Sequence, residues 1–426
     1  MAVTVWDGLD RDKLNGIYHS LLNEYEGFRA RKLNLDMSRG RPSKAQLNIS
    51  SGLLDCLSGG DYTAENGLDC RNYGGLDGIP EIKRIVAELM DADVSEVIIG
   101  GNSSLSMMFD NIASNVSHGV RDDIPWQKQG RVKFICPAPG YDRHFAICEY
   151  FHIEMTTVPM TPEGPDMDAV EELAENDAMI KGMWCVPVFS NPDGCVYSPD
   201  TVRRIARMKP RAHDFRLYWD NAYCIHNFEG ERPVIPNIIR ECERAGNPHM
   251  PLEFMSFSKI SFPGGGISAV ITSASNCGYI LKRLSTQTIG PDKLNQLRHC
   301  RFFKNAEGVL SHMKKHSELI KPKFDATDEI FEKNLGDMGV GFWEKPRGGY
   351  FLSFRTLPGC AARVVALCGD AGVSLTKAGA TYPYYKDPMD SSIRIAPTSL
   401  ETEDVRTAAE LFCLAVKIAS LEKLID

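Results

Sequence analysis

The chain predicts an α/β protein in which a mostly parallel central sheet carries helices on both faces and joins a smaller α+β lobe. Three observations lead there. Short apolar runs rich in β-branched and aromatic residues alternate with helical stretches, as in open parallel sheets. Each run stops at Gly, Pro, Asn or Asp, the residues that make turns. Polar side chains gather at the carboxyl ends of these runs, where such sheets bind ligands. At 426 residues the chain exceeds the usual size of one core. The expected division is 1–50 as the first part of a small lobe, 51–320 as the large domain, and 321–426 as the rest of the small lobe.

From the amino end, residues 10–31 place Leu14, Ile17, Tyr18, Leu21 and Leu22 at helical spacing. Leu33–Met37 alternates like a strand and runs into Ser38-Arg39-Gly40-Arg41-Pro42, a turn whose arginines can reach an anion or pair at the surface. Tyr73 lies on a Gly-rich loop before a helix from Ile79 to Met90, with Pro80 in its first turn. Val94–Ile99 reads as a strand. It breaks at Gly100-Gly101-Asn102-Ser103-Ser104 before a helix from Leu105 to Val116, a layout that offers free N–H groups and hydroxyls to an anion or simply caps the helix.

Arg131–Cys136 is a strand ending in Pro137-Ala138-Pro139-Gly140-Tyr141, and a helix is expected from Asp166 to Ala174. Met183–Phe189 is a near-continuous apolar strand ending in the turn Ser190-Asn191-Pro192-Asp193-Gly194. A helix over Pro199–Met208 precedes the strand Phe215–Tyr223, in which Asp220 is a carboxylate that burial would penalise without a partner. Leu252–Phe257 delivers Lys259, and Ile267–Ile271 is the returning neighbour. Asp292–Leu319 reads as helical, closing near Lys321-Pro322. Strands at Val340–Trp343, Tyr350–Phe354 and Ser392–Ala396, a helix near Ala361–Cys368 and a last helix from Glu401 complete the chain.

Composition excludes several classes. Hydrophobic residues make up 43% and charged residues 24%, as in ordinary globular proteins. The net charge of −8 argues against a nucleic-acid backbone as the main partner. No apolar run approaches the roughly 20 residues that span a bilayer. Residues 1–10 carry Trp6, Asp7 and Asp10 and lack the pattern of a secretory signal. Thirteen cysteines without a Cys-x-x-Cys pair fit reduced thiols, and with them a cytoplasmic location. His312 and His316 stand four apart, but Met313 replaces the glutamate of a zinc protease, and Lys314 and Lys315 suggest a solvated face; no metal site is expected. Gly264–Ala269 matches a dinucleotide-binding pattern but precedes a strand instead of opening a helix.

The chemistry centres on Ser256-Phe257-Ser258-Lys259. A lysine amine forms an imine with an aldehyde when burial or cationic neighbours depress its pKa, and Phe254, Met255 and Phe257 supply apolar surroundings. The ordered set Tyr73-Gly74, Gly101-Asn102-Ser103-Ser104, Tyr141, Asn191-Pro192-Asp193-Gly194, Asp220-Asn221-Ala222-Tyr223, Ser256–Lys259 and Arg394 resembles the fold-type I pyridoxal-phosphate aminotransferases over most of the chain. Ser38–Ser43 and Asp292–Arg298 are similar to one bacterial aspartate aminotransferase subgroup.

The resemblance implies that Lys259 holds pyridoxal phosphate and moves a proton, and that Asp220 keeps the pyridine nitrogen protonated. It implies that Asn191 and Tyr223 donate to the phenolic oxygen, that Ser103, Ser104, Ser256 and Ser258 bind the phosphate, and that Tyr141 stacks on the ring. Arg394 would pair with the substrate α-carboxylate, with Gly40, Arg39 and Asn191 also about the substrate. Tyr73 would reach the neighbouring site of a homodimer. The implied reaction moves an amino group from an amino acid, aspartate foremost, to a 2-oxo acid, 2-oxoglutarate foremost. Alternatives are a lyase using the same cofactor and a non-enzymatic ligand-sensing domain. A dicarboxylate needs a second cation, for which Arg39, Arg41, Lys293 and Arg298 are candidates. Ile260–Ala269 lacks the basic residue that follows the lysine in better-known members, and the amides of Gly264–Gly266, alone or with a distant arginine, are expected to substitute for it.

Overall fold

The computed structural model describes residues 4–425. Its centre is an eight-stranded sheet in the spatial order Val97–Gly100, Ser268–Ile271, Pro251–Ser256, Arg216–Asp220, Ile180–Cys185, Lys133–Ala138, Glu154–Thr161 and Gly164–Pro165. The strands from Pro251–Ser256 through Glu154–Thr161 pair in parallel. Ser268–Ile271 runs antiparallel to both its neighbours, so it is the returning strand that the sequence suggests.

Side chains alternate between the two faces of a strand, and here both faces are covered. Ile98, Phe134, Trp184, Tyr218, Phe254 and Val270 enter one apolar core; Ile99, Ile135, Met183, Trp219, Met255 and Ala269 enter another on the opposite face. Burial on both sides explains why these strands read as continuous apolar runs.

A third core joins the first and last parts of the chain. Leu14, Tyr25 and Met37 pack with residues from Ile320 to Leu421, around Phe331, Phe354 and Phe412. The helix Arg11–Ala30 lies on the terminal helix Thr402–Ile425. Beside them stand the three-stranded sheet containing Gly341–Trp343, Leu352–Thr356 and Ser392–Ile395 and the parallel pair Leu35–Asp36 with Val373–Ser374.

Several expected boundaries differ. The helical stretch after Asp292 breaks at Lys304, which has φ 68°, and restarts at Asn305, whose side chain accepts from the Gly308 N–H at 2.9 Å. It then continues from Ala306 through Pro322 to Leu335, where a stop near Pro322 is expected from the lost donor. Packing outweighs that loss: Ala306, Val309 and Met313 are seated in the sheet core, while Ile320, Phe324, Ile330 and Phe331 are seated in the third core. The strand expected over Met183–Phe189 ends at Cys185. Pro187 has no N–H to give to a ladder, and Val186, Val188 and Phe189 cross to the third core. Val94–Glu96 forms a 3₁₀ turn closed by an Asp93/Glu96 capping box before the strand begins at Val97. His312 and His316 are buried, not solvated: they contact each other, Ser50 and the Ile260 carbonyl. Among the described residues, no helix is long and apolar enough to cross a membrane.

Candidate active site

Five strand ends converge on one cavity of about 140 Å³ at the carboxyl edge of the sheet. Its lining brings together Ser103, Ser104, Tyr141, Asn191, Asp220, Tyr223, Ser256, Ser258 and Lys259. Tyr73 and Arg394 do not line it. Tyr73 is 75% exposed on a loop where Gly74 and Gly75 take φ of 97° and 66°. Gly40 and Arg39 also lie outside the cavity lining. A Cβ at Gly40 would approach the Phe351 ring to 2.6 Å, and that ring lies 5.0 Å from the Arg394 guanidinium carbon.

The lysine hangs from the turn after Pro251–Ser256. Its Nζ is 5.0 Å from the centre of the Tyr223 ring and 5.5 Å from that of Tyr350. Burial pulls the amine below its usual range, the neighbouring Arg394 pulls the same way, and Tyr141 and Asp220 oppose them. The Tyr141 hydroxyl is pushed up to about 12, chiefly by burial; burial also raises Tyr223.

Asp220 ends its strand with its side chain 8% exposed. His144 Nε2 lies 3.0 Å from its Oδ2, while Oδ1 is buried without a hydrogen-bond partner in the described structure. The imidazole is stacked on Trp184 at 4.1 Å and met edge-on by Tyr141 at 4.9 Å. A fixed carboxylate with one free oxygen is thus aimed where a ligand N–H can be received.

At the opposite end, Ser103 caps the helix Ser104–His118 by accepting from the Ser106 N–H. Ser256 Oγ donates to Ser258 Oγ at 2.9 Å, and Ser258 Oγ donates to the Asn102 carbonyl at 3.0 Å. Hydroxyls and a helix N-terminus make an anion-binding corner. Gly264, Gly265 and Gly266, expected to stand in for a basic residue, are not among the residues lining the cavity. Their loop is tied to Asn102, which donates to the Pro263 carbonyl at 3.0 Å, and to Arg298, which donates to the Gly265 carbonyl at 3.2 Å.

Arg394 lies on the strand Ser392–Ile395, with its side chain 6% exposed. Its Nη1 donates to Asn191 Oδ1 at 3.2 Å and to Asp142 Oδ1 at 2.7 Å. None of Arg39, Arg41, Lys293 and Arg298 lines the cavity. Arg41 pairs with Asp36, and Lys293 is buried.

Sequence reasoning missed Asp142, His144 and Trp184. Asp142 and His144 belong to the helix Asp142–Tyr150, which the turn at Pro139-Gly140 hides. The available signal was a His two positions after an acidic residue that follows a strand-end turn.

This fold is shared with solved enzymes. The crystal structure of an aspartate transaminase from Corynebacterium glutamicum matches with a TM-score of 0.96 and 42% identity, covering 99% of this chain and 100% of that one. The α-aminoadipate aminotransferase LysN from Thermus thermophilus shares the fold at a TM-score of 0.74 and 18% identity, covering 93% and 95%. In sequence, the aspartate aminotransferase of C. glutamicum is 43% identical over 414 residues, 97% of this chain and 96% of its own length. Sheet, lysine cavity and relatives together define the class: the chain is an aminotransferase. The model of the aspartate amino-transferase family matches residues 9–426, and the chain belongs to that family.

Proposed function

We propose that the chain is a pyridoxal-phosphate-dependent aminotransferase that moves an amino group from aspartate to 2-oxoglutarate. The choice of donor is supported by the two Corynebacterium glutamicum relatives, one named an aspartate aminotransferase and the other an aspartate transaminase. The observation that carries the cofactor is the pairing, in one cavity, of a depressed lysine amine with the unpartnered Asp220 Oδ1.

The residues fit the group. Asp220 would receive the pyridine N–H, and Ser103, Ser104, Ser256, Ser258 and the helix N-terminus would receive the phosphate. Tyr141 would cover the ring face, and Asn191 and Tyr223 would face the phenolic oxygen. When bound, pyridoxal phosphate supplies the electron sink that lets a substrate Cα–H bond ionise.

The chain's own groups do the rest. His144 fixes which Asp220 oxygen faces the cavity, because Oδ2 is already engaged. Burial leaves the Lys259 amine able to accept the proton from the substrate Cα and would let it deliver that proton to the cofactor's C4′ carbon, on the far side of the substrate nitrogen. Arg394 orients the substrate through its α-carboxylate, a planar acceptor suited to a guanidinium. Tyr73, too exposed to serve its own cavity, would complete the site of a second copy, so that a homodimer is the working unit. Residues 1–50 and 321–426 would form a small lobe and 51–320 a large one, in a cytoplasmic enzyme.

Borohydride reduction of protein loaded with pyridoxal phosphate, followed by peptide mapping, should place a pyridoxyl group on Lys259. Aspartate should convert the loaded protein to its amino form and 2-oxoglutarate should restore it. A modified residue elsewhere, or release of ammonia in place of oxo-acid-dependent turnover, would overturn the reading.

A further inference from the structure

We infer that Asp142 is an internal competitor for the substrate carboxylate, occupying the Arg394 guanidinium until an incoming carboxylate displaces it. This rests on the assignment of Arg394 to the substrate.

The guanidinium is compensated before any substrate arrives. Nη1 donates to Asp142 Oδ1 at 2.7 Å and Asn191 Oδ1 at 3.2 Å, and Nε donates to Thr376 Oγ1 at 3.3 Å. The Phe351 ring lies 5.0 Å from the guanidinium carbon. Of these partners only Asp142 carries charge. A guanidinium this deeply buried requires an anion nearby, and Asp142 provides it across the two parts of the protein. Asp142 follows the sheet strand Lys133–Ala138, and Arg394 belongs to the three-stranded sheet of the third core.

The two ends of this ion pair are not equally held. Arg394 has 6% of its side chain exposed and is fixed by neutral partners on two sides; Asp142 has 28% exposed. Asp142 is also the first residue of the helix Asp142–Tyr150, where free N–H groups and the helix dipole favour a carboxylate that has let go of its partner. The exchange therefore has one mover: the substrate carboxylate takes the arginine, Asp142 turns to the helix terminus and water, and Asn191 and Thr376 keep the guanidinium in place until product release reverses the exchange.

Specificity follows. A ligand that brings only a carboxylate replaces one anion with another and gains little. Binding becomes favourable when the ligand adds a further anchor, such as an amino group, an oxo group or a second carboxylate. Asp142 thus sets a threshold against simple carboxylates.

The test uses holoenzyme carrying Asp142→Asn, Asp142→Ser or Arg394→Lys. Succinate and acetate, which do not react, are titrated by calorimetry, and kcat and KM are measured with aspartate and 2-oxoglutarate. The Asp142 variants should bind succinate roughly tenfold tighter, the scale of one charged contact. Acetate should become a measurable inhibitor. KM should fall more than kcat, which declines because product is held by the same arginine. Succinate affinity unchanged or weaker in both Asp142 variants overturns the competitor role, provided that Arg394→Lys abolishes binding. If Arg394→Lys leaves succinate affinity intact, it is the assignment of Arg394 that fails, and the competitor role falls with it. The serine variant guards against an asparagine oxygen standing in for the carboxylate.

Discussion

Replacing Asp220 with Asn keeps the side chain's shape and removes its charge, and the structure gives the size of the effect. Oδ2 is held by His144 at 3.0 Å and Oδ1 has no partner among the described residues, so the substitution would cost the one charge-assisted hydrogen bond that Oδ1 accepts from the cofactor's ring N–H. Such a bond contributes about 1.5–3 kcal/mol, which weakens cofactor affinity by roughly 10- to 150-fold. The apoenzyme can be titrated with pyridoxal phosphate by fluorescence. A slower reaction with aspartate should accompany the weaker binding, because the ring then withdraws electrons less well. Affinity within twofold of the unaltered protein, with an unchanged aspartate reaction, would refute the placement of Oδ1 against the ring. His144→Asn serves as the companion variant: it leaves the charge and removes its tether, so it should weaken binding less.

Three further outcomes are expected. Mixed dimers of Tyr73→Ala with Lys259→Ala chains should recover activity that neither homodimer has, since one site regains both residues; no recovery on mixing would show that Tyr73 does not cross between subunits. Phe331→Ala empties a fully buried position stacked on Phe412 at 5.1 Å and met edge-on by Phe354 at 5.4 Å, and should destabilise the protein by about 3–5 kcal/mol; a shift below ~1 kcal/mol in denaturant midpoint analysis contradicts the third core as described. Burial keeps His226 neutral down to about 3 and His299 down to about 4, against 6.5 ordinarily. Between those limits an unfolded chain takes up protons that the fold refuses, so stability falls as pH drops below about 6.5, by up to roughly 1.4 kcal/mol per pH unit per histidine. Equal denaturant midpoints at pH 7 and pH 5 would count against it.

The sheet was legible because its strands are buried on both faces and bounded by turn residues, which leaves a local signature. The cavity lining was legible for the same reason: Ser103, Tyr141, Asn191 and Lys259 lie beyond strand ends, and Asp220 is the last residue of its strand. What local pattern could not supply is pairing across distance. Asp142 meets Arg394, 252 positions away, and His144 meets Asp220, 76 positions away; neither is announced by its neighbours in sequence. Pro322 misled for a related reason, since a breaker's local cost is overruled by apolar contacts on either side of it.

The helix Ala306–Leu335 behaves as an axle mounted in two bearings, one under the sheet and one in the terminal core. Between them His316 meets the Ile260 carbonyl at 3.1 Å, one residue beyond Lys259. Melting either bearing bares the axle, so the two halves of the protein lose order together, and the seat of Lys259 loosens with them.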